Sequence, residues 1–290
     1  MMTAFIQQSS IKQPSTRQSG FSLIELMIAM GLSIAIMAGV TQFMLSSRST
    51  YDFNDEQTRV QENGRIALDI IVKDIRIAGY RNPDNLAIAT TNTFVPPSFL
   101  TTACMSGAGW ANCTADDVTD TAGIASDRIA IQMDPPPDDG SEIDCTGTLV
   151  ASATNIIANV YYVQRTNGIS SLTCRSFNVD LGAWSSAAVP LVDGIDSMHI
   201  LYGIADINGN VTQYVPLAAV ADFNTVRAVR IAILVSSGTV TGTAEAKPRQ
   251  YALLDSATLT IPDAGNVFTA DDQIRHIYST TVHLNNFETY

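Results

Sequence analysis

Four cysteines, one isolated glutamate and two oxygen-rich loops are the residues whose types and spacing could do chemistry in this sequence. Cys104, Cys113, Cys145 and Cys174 form an even set, which in an oxidising compartment reads as two disulfides. Three pairings are possible, and Cys104–Cys113 with Cys145–Cys174 is favoured because each bond closes a local loop. Zinc is the rival reading, but there is no Cys-x-x-Cys, and His199, His276 and His283 are scattered. Asp206, Asn208 and Asn210 alternate like the front half of a calcium loop, yet the acidic twelfth position of an EF-hand falls on Leu217. A hairpin turn with Asn208-Gly209 at positive φ is the expected object, and calcium the weaker alternative. Asp134, Asp138 and Asp139 flank Pro135-Pro136-Pro137, which reads as a stiff exposed connection before it reads as an ion site. The sequence has no Gly-x-Ser-x-Gly elbow, phosphate-cradling glycine loop or His-Glu-x-x-His. It therefore predicts a protein that is not an enzyme and that uses no cofactor.

The isolated acid is Glu25. Between Phe21 and Leu45 there is no Lys, Arg, Asp or Pro, and Glu25 is the one ionisable group. About 25 residues at ~1.5 Å each span ~37 Å, enough to cross a hydrocarbon core of ~30 Å with some tilt. Ahead of this run lie Lys12 and Arg17 with no acid, so the N-terminal end is expected to stay in the cytoplasm and the rest to be exported. A secretory signal would carry a small-x-small cleavage site after its apolar core. Here the small residue, Gly20, comes before the run, and cleavage there would leave the whole apolar helix on the mature chain. A carboxylate in hydrocarbon costs on the order of 2.5–3.5 kcal/mol at the centre and less near an end. Glu25 thus needs a partner or a proton.

Gly20, Phe21, Ser22, Leu23, Ile24 and Glu25, with Arg17 in the leader, resemble the class III signal of type IV prepilins and type II secretion pseudopilins. The resemblance implies that a membrane prepilin peptidase cuts between Gly20 and Phe21 and methylates the new N-terminus at Phe21. The free amine of a neighbour's Phe21 would then be a cation for Glu25, since an α-amino group has a pKa near ~8. Gly64-Arg65-Ile66-Ala67-Leu68-Asp69 and the stretch Asp74 to Tyr80 resemble the second half of the N-terminal helix in PilW-type minor pilins. Val192 to Gly203 and Val226 to Ser236 resemble the central and following strands of that family. The helix-bending proline of many major pilins is missing here, and Gly31 and Gly39 are the positions that could soften the helix instead.

These elements must be positioned by the rest of the chain. From Ser46 to Tyr80 the pattern becomes amphipathic, with Val60, Ala67, Ile71, Ile75 and Ala78 at helical spacing. Gly79 and Pro83 supply the stop. One helix from Phe21 to about Ala78 is predicted, its first half in the membrane and its second half on a sheet. Residues 82–147 read as loop-rich with one short strand at Asp127–Met133. Strands are predicted at Asn155–Arg165, Ser171–Phe177, Met198–Ile204, Val211–Val215, Val226–Val235 and His276–Leu284, with a hairpin at Thr166-Asn167-Gly168.

The expected fold is thus α+β and pilin-like: a long N-terminal helix packed on a C-terminal antiparallel β-sheet head. Its parts are a leader (1–20), an assembly helix (21–45), an amphipathic half (46–80), a variable insertion (81–150) and a β-rich periplasmic head (151–290). Loss of Lys12 and Arg17 with the leader leaves 14 basic residues against 28 acidic ones, a net charge of −14. Such a surface offers no basic stripe for nucleic acid. The resemblance implies a minor pilin of the inner-membrane priming or tip complex, which starts pilus assembly and supports twitching motility and cell adhesion. Its implied partners are the prepilin peptidase, other minor pilins, the major pilin, the inner membrane and a tip adhesin. A J-type pseudopilin of type II secretion is the rival of the same class. A membrane-tethered adhesin or periplasmic enzyme is the rival of a different class.

Overall fold

A computed structural model describes residues 20–80, 99–104, 110–119, 124–134, 143–150, 156–238, 249–254, 259–261 and 273–286. The chain divides into two units, Met1–Tyr51 and Asp52–Tyr290. One helix, α1 (Leu23–Ile77), contributes to both. In the first unit every described residue is exposed.

In the second unit the helix changes character. Val60, Gly64, Ala67, Ile71 and Ile75 are buried at intervals of three and four residues, which is the stripe the sequence predicts. The helix stops where Gly79 adopts φ 72°, a left-handed conformation that costs glycine little. The Gly79 N–H donates to the Gln132 carbonyl at 2.8 Å, and the Asp134 N–H to the Tyr80 carbonyl at 2.9 Å. The end of the helix is therefore tied to the strand it meets.

That strand belongs to a sheet of six. In chain order they are β1 (Ala115–Thr119), β2 (Ala125–Met133), β3 (Ile157–Thr166), β4 (Ile169–Asn178), β5 (Ala183–Trp184) and β6 (Val189–Asp193). The order is β1-β2-β3-β4-β5, with β6 also pairing β4. A four-stranded sheet holds β7 (Ile195–Ala205), β8 (Val211–Val215), β9 (Val226–Ser236) and β12 (Arg275–His283), in the order β12-β9-β7-β8. The short pair β10 (Arg249–Tyr251) and β11 (Leu259–Ile261) forms a third sheet. All pairings are antiparallel. The fold is α+β, with one long N-terminal helix and an antiparallel β-sheet head.

One core serves both large sheets. Val60, Ala67, Ile71 and Ile75 of the helix pack with Ile129, Tyr161, Leu172, Met198, Ile200 and Ile231. A Cβ on Gly64 would lie 2.6 Å from Cδ2 of Tyr278, so this turn of helix approaches β12 as only glycine permits. Polar contacts complete the fit. Oδ2 of Asp74 accepts from the Tyr161 hydroxyl at 2.6 Å and from the Asn159 amide at 2.8 Å. Burial pushes the Asp74 carboxyl above its usual range, while those two bonds and Lys73 pull it back.

The structure corrects the reading of the stretch 81–150. Where the sequence predicts one short strand at Asp127–Met133, two strands form, and β2 lies between β1 and β3. Residues 99–104 and 110–114 cover its other face: Leu100, Cys104 and Cys113 pack with Ala130, Ala158, Val160 and Phe177. A strand covered on both sides loses the alternation that marks a strand in sequence. Asp134, expected on an exposed connection, is buried at the end of β2. Pro135 to Asp139 lie outside the described residues.

Candidate functional site

The N-terminal segment is built from its cap upward. Gly20, Phe21 and Ser22 precede the first helical residue and are exposed. The Ser22 carbonyl accepts the first intrahelical bond, from Leu26 N–H at 3.1 Å, which places Ser22 at the N-cap. Glu25, three residues on, accepts from the Ser22 N–H at 3.4 Å, the reach-back half of a capping box. Its negative charge also lies at the favourable end of the helix dipole. The Gly20–Phe21 peptide bond thus sits in open, non-helical chain directly before a capped helix. Lys12 and Arg17 lie outside the described residues.

Along the apolar run the hydroxyls are satisfied internally: Ser33 donates to the Ala29 carbonyl at 2.7 Å and Thr41 to that of Met37 at 2.8 Å. Polar groups placed this way suit a lipid or helix-bundle environment. The helix continues through Gly31 and Gly39, and nothing lies within 4 Å of a Cβ at either. Phe21, Leu23, Ile24, Met27, Ile34 and Phe43 are all more than 60% exposed. Each such side chain left in water forgoes about 1.5–3 kcal/mol. Summed over the run, this exceeds the ~5–15 kcal/mol by which a whole domain is stable. This helix is long and apolar enough to cross a membrane, and among the described residues its first unit has no side-chain cover of its own.

The cysteines are paired as the two local loops. Cys104 bonds Cys113, with Cα atoms 5.3 Å apart, and Cys145 bonds Cys174, with Cα atoms 6.2 Å apart. The first staples the segment over β2, where Cys104 and Trp110 also exchange two backbone hydrogen bonds of 3.0 Å. The second ties residues 143–150 to β4.

The oxygen-rich loop at Asp206 is the turn between β7 and β8. Asp206 Oδ1 accepts from the backbone N–H groups of Asn208 and Asn210, each at 2.9 Å. These amides hold the Asp206 carboxyl below its usual range. Gly209 has φ 82°, as the turn requires, whereas Asn208, expected at positive φ as well, does not adopt it. Asp206, Asn208 and Asn210 are thus joined within the turn through backbone hydrogen bonds to one carboxylate oxygen.

Sequence reasoning treated the histidines as scattered, and His276 and His283 do sit apart on β12. His199 does not stand alone: it lies on β7 beside Asp117 of β1 and Asp127 of β2. Burial pushes the Asp127 carboxyl up to about 7, with Asp116 and Asp117 adding to the rise and the N–H groups of Asp117 and Ile200 opposing it. These residues are 10 to 82 positions apart in the chain, with no spacing motif to announce them.

Comparisons with known proteins bear on both units. Residues 15–41 match the family model described as the prokaryotic N-terminal methylation motif. Residues 160–286 match the one described as Type IV Pilus-assembly protein W. Among solved structures, the chain is similar to the type IV-like pilin TTHA1219 from Thermus thermophilus. The identity is 15%, the match covers 79% of this chain and 96% of that one, and the TM-score is 0.40. No curated protein sequence matches.

Proposed function

We propose that this chain, a type IV pilin-like protein with a PilW domain, is a minor pilin of the priming or tip complex that initiates a type IV pilus. The observation that carries the proposal is the joining of two features on one chain. A methylation-motif segment opens an apolar helix whose first unit is exposed throughout, and a PilW match over residues 160–286 covers the second unit from within β3 to β12. In this reading the prepilin peptidase cuts after Gly20 in the cytoplasmic leaflet and methylates the amine of Phe21. The apolar helix holds the protein in the inner membrane with its head in the periplasm, where the four cysteines pair. The head selects other minor pilins, the major pilin and a tip adhesin.

Glu25 has a defined part in this proposal. It is the one charge in the run, it is exposed, and its tie to the Ser22 N–H is long at 3.4 Å. The ammonium of a neighbouring Phe21 is a stronger partner in a low-dielectric setting. That contact sets the axial offset of one helix against the next. Replacing Glu25 by Val in the cell should leave membrane insertion and the cleaved, methylated Phe21 terminus intact, as read by mass spectrometry. Surface pili and twitching should be lost. Normal pili together with loss of exoprotein secretion would favour the J-type pseudopilin, and an uncleaved Met terminus would overturn both.

A further inference from the structure

We propose that Asp117, Asp127 and His199 form a binding site for a borderline divalent metal such as zinc. The site lies where the six-stranded sheet meets β7 of the four-stranded sheet. One ligand atom from each residue lies within 4.8 Å of the other two. Nδ1 of His199 is 3.6 Å from Oδ1 of Asp127 and 4.0 Å from Oδ1 of Asp117. Both separations exceed the ~2.7–3.2 Å of a hydrogen bond from a ring N–H. They lie close to the ~3.4 Å edge of a tetrahedron whose centre is ~2.1 Å from each ligand. The imidazole is thus spaced from each carboxylate as across an ion, and a contraction of a few tenths of an ångström brings those two separations to fit.

The surroundings orient the donors. Asp127 is fixed at both oxygens: Oδ1 accepts from the Asp117 N–H at 2.9 Å and Oδ2 from the Ile200 N–H at 2.7 Å. A carboxylate held in this way keeps a lone pair on Oδ1 for a cation. Asp117 occupies the break in register between Ala115 and Val118 of β1, with φ 48°. The break turns its side chain toward His199 and off the regular pleat. The side chains of His199 and Asp127 are each 7% exposed, whereas that of Asp117 is 69% exposed. An ion can therefore enter past Asp117, and a water can fill the fourth position.

Donor chemistry selects the ion. One imidazole and two carboxylates suit zinc and its neighbours in the transition series. Calcium takes six to eight oxygens and magnesium keeps most of its waters. The charge balance agrees, because Asp116 adds a third carboxylate that acts on Asp127. A bound ion would pin β1 to β7 and so join the two large sheets.

The test uses the full chain in detergent micelles, stripped with chelator and titrated calorimetrically with Zn²⁺, with Co²⁺ absorption reporting the coordination. The expected result is one equivalent bound, a raised Tm and a Co²⁺ spectrum of low-symmetry coordination. Asp117→Asn, at an exposed side chain, should fold normally and bind at least tenfold more weakly. His199→Gln should abolish both binding and spectrum. No binding by the native chain would overturn the proposal and leave a buried Asp127–His199 contact. Equal binding by native chain and Asp117→Asn would also overturn it, placing the ion elsewhere, for instance at His276 or His283.

Discussion

Asp74 offers the sharpest test of how the helix is held on the head. Its Oδ2 is the shared acceptor for the Tyr161 hydroxyl and the Asn159 amide, and those two residues are 1% and 2% exposed. Asp74→Ala leaves two buried donors unpaired, at about 1–3 kcal/mol each. The sum lowers Tm by on the order of 5–15 °C for a domain of this size. Asp74→Asn behaves differently, because an amide oxygen can accept both bonds while no charge is buried. The pH dependence has a definite sign. Burial raises the folded-state pKa of Asp74 above its unfolded value. As pH rises past the unfolded value, the unfolded chain releases its proton first, so ionisation favours unfolding. The stability contributed by the protonated form is full at low pH, falls as pH rises through the folded pKa, and is then level. The Asn variant lacks this fall, so its advantage over the native chain should grow with pH across that window. Thermal unfolding of the full chain in detergent, followed by near-UV circular dichroism from pH 4 to 7.5, measures both effects. The reasoning is refuted if Asn is as damaging as Ala, or if the slope with pH is the same in the Asn variant as in the native chain.

Two further perturbations act on the same packing. Gly64→Ala places a methyl 2.6 Å from the Tyr278 ring; an overpacking cost of about 1–3 kcal/mol outweighs the ~1 kcal/mol that alanine adds to a helix. In a Tyr278→Ala background the same change should become stabilising, which a double-mutant cycle of Tm values reads directly. Replacing both cysteines of a pair by Ser should cost about 3.6 kcal/mol for Cys145–Cys174 and about 2.6 kcal/mol for Cys104–Cys113, from loops of 29 and 9 residues by chain entropy. Urea unfolding of each pair variant tests that order, and a larger loss from the shorter loop would contradict it.

The parts of this fold that are legible in sequence are those whose signal is local. The stripe from Val60 to Ala78, the stop at Gly79, the β-branched run of β9 and the turn at Asn208-Gly209 each follow from neighbours within a few residues. The cap is local too, although the helix begins at Leu23, two residues after the expected start, because Ser22 takes the cap position. Less legible is β1. Its sequence Ala115-Asp116-Asp117-Val118-Thr119 carries two acids and a left-handed residue, both unfavourable for a strand. It pairs because β2 supplies an edge and because Ala218 N–H and Ile200 N–H engage the carboxylates of Asp116 and Asp127. Those contacts join residues about 70 to 100 positions apart, which no local window holds. The same distance hides the meeting of Asp117, Asp127 and His199.

On the proposed reading, the apolar helix leaves the membrane for a fibre, and something must drive it there. Apolar side chains gain nothing by leaving lipid for a bundle of other apolar helices, since the two environments are equally dry. Leu23, Ile34 and Phe43 are therefore indifferent between bilayer and fibre as far as water is concerned. What differs is packing and the fate of polar groups. In lipid, Glu25 has the Ser22 N–H at 3.4 Å as its partner within the chain; in the bundle we propose, it would meet a neighbour's ammonium. The free energy that distinguishes fibre from membrane is thus concentrated in one carboxylate and in close contact at small residues such as Gly31 and Gly39. A chain lacking Glu25 would remain a competent membrane protein with an intact head. It would have lost the one ionisable group of the run, and with it the polar part of what assembly gains.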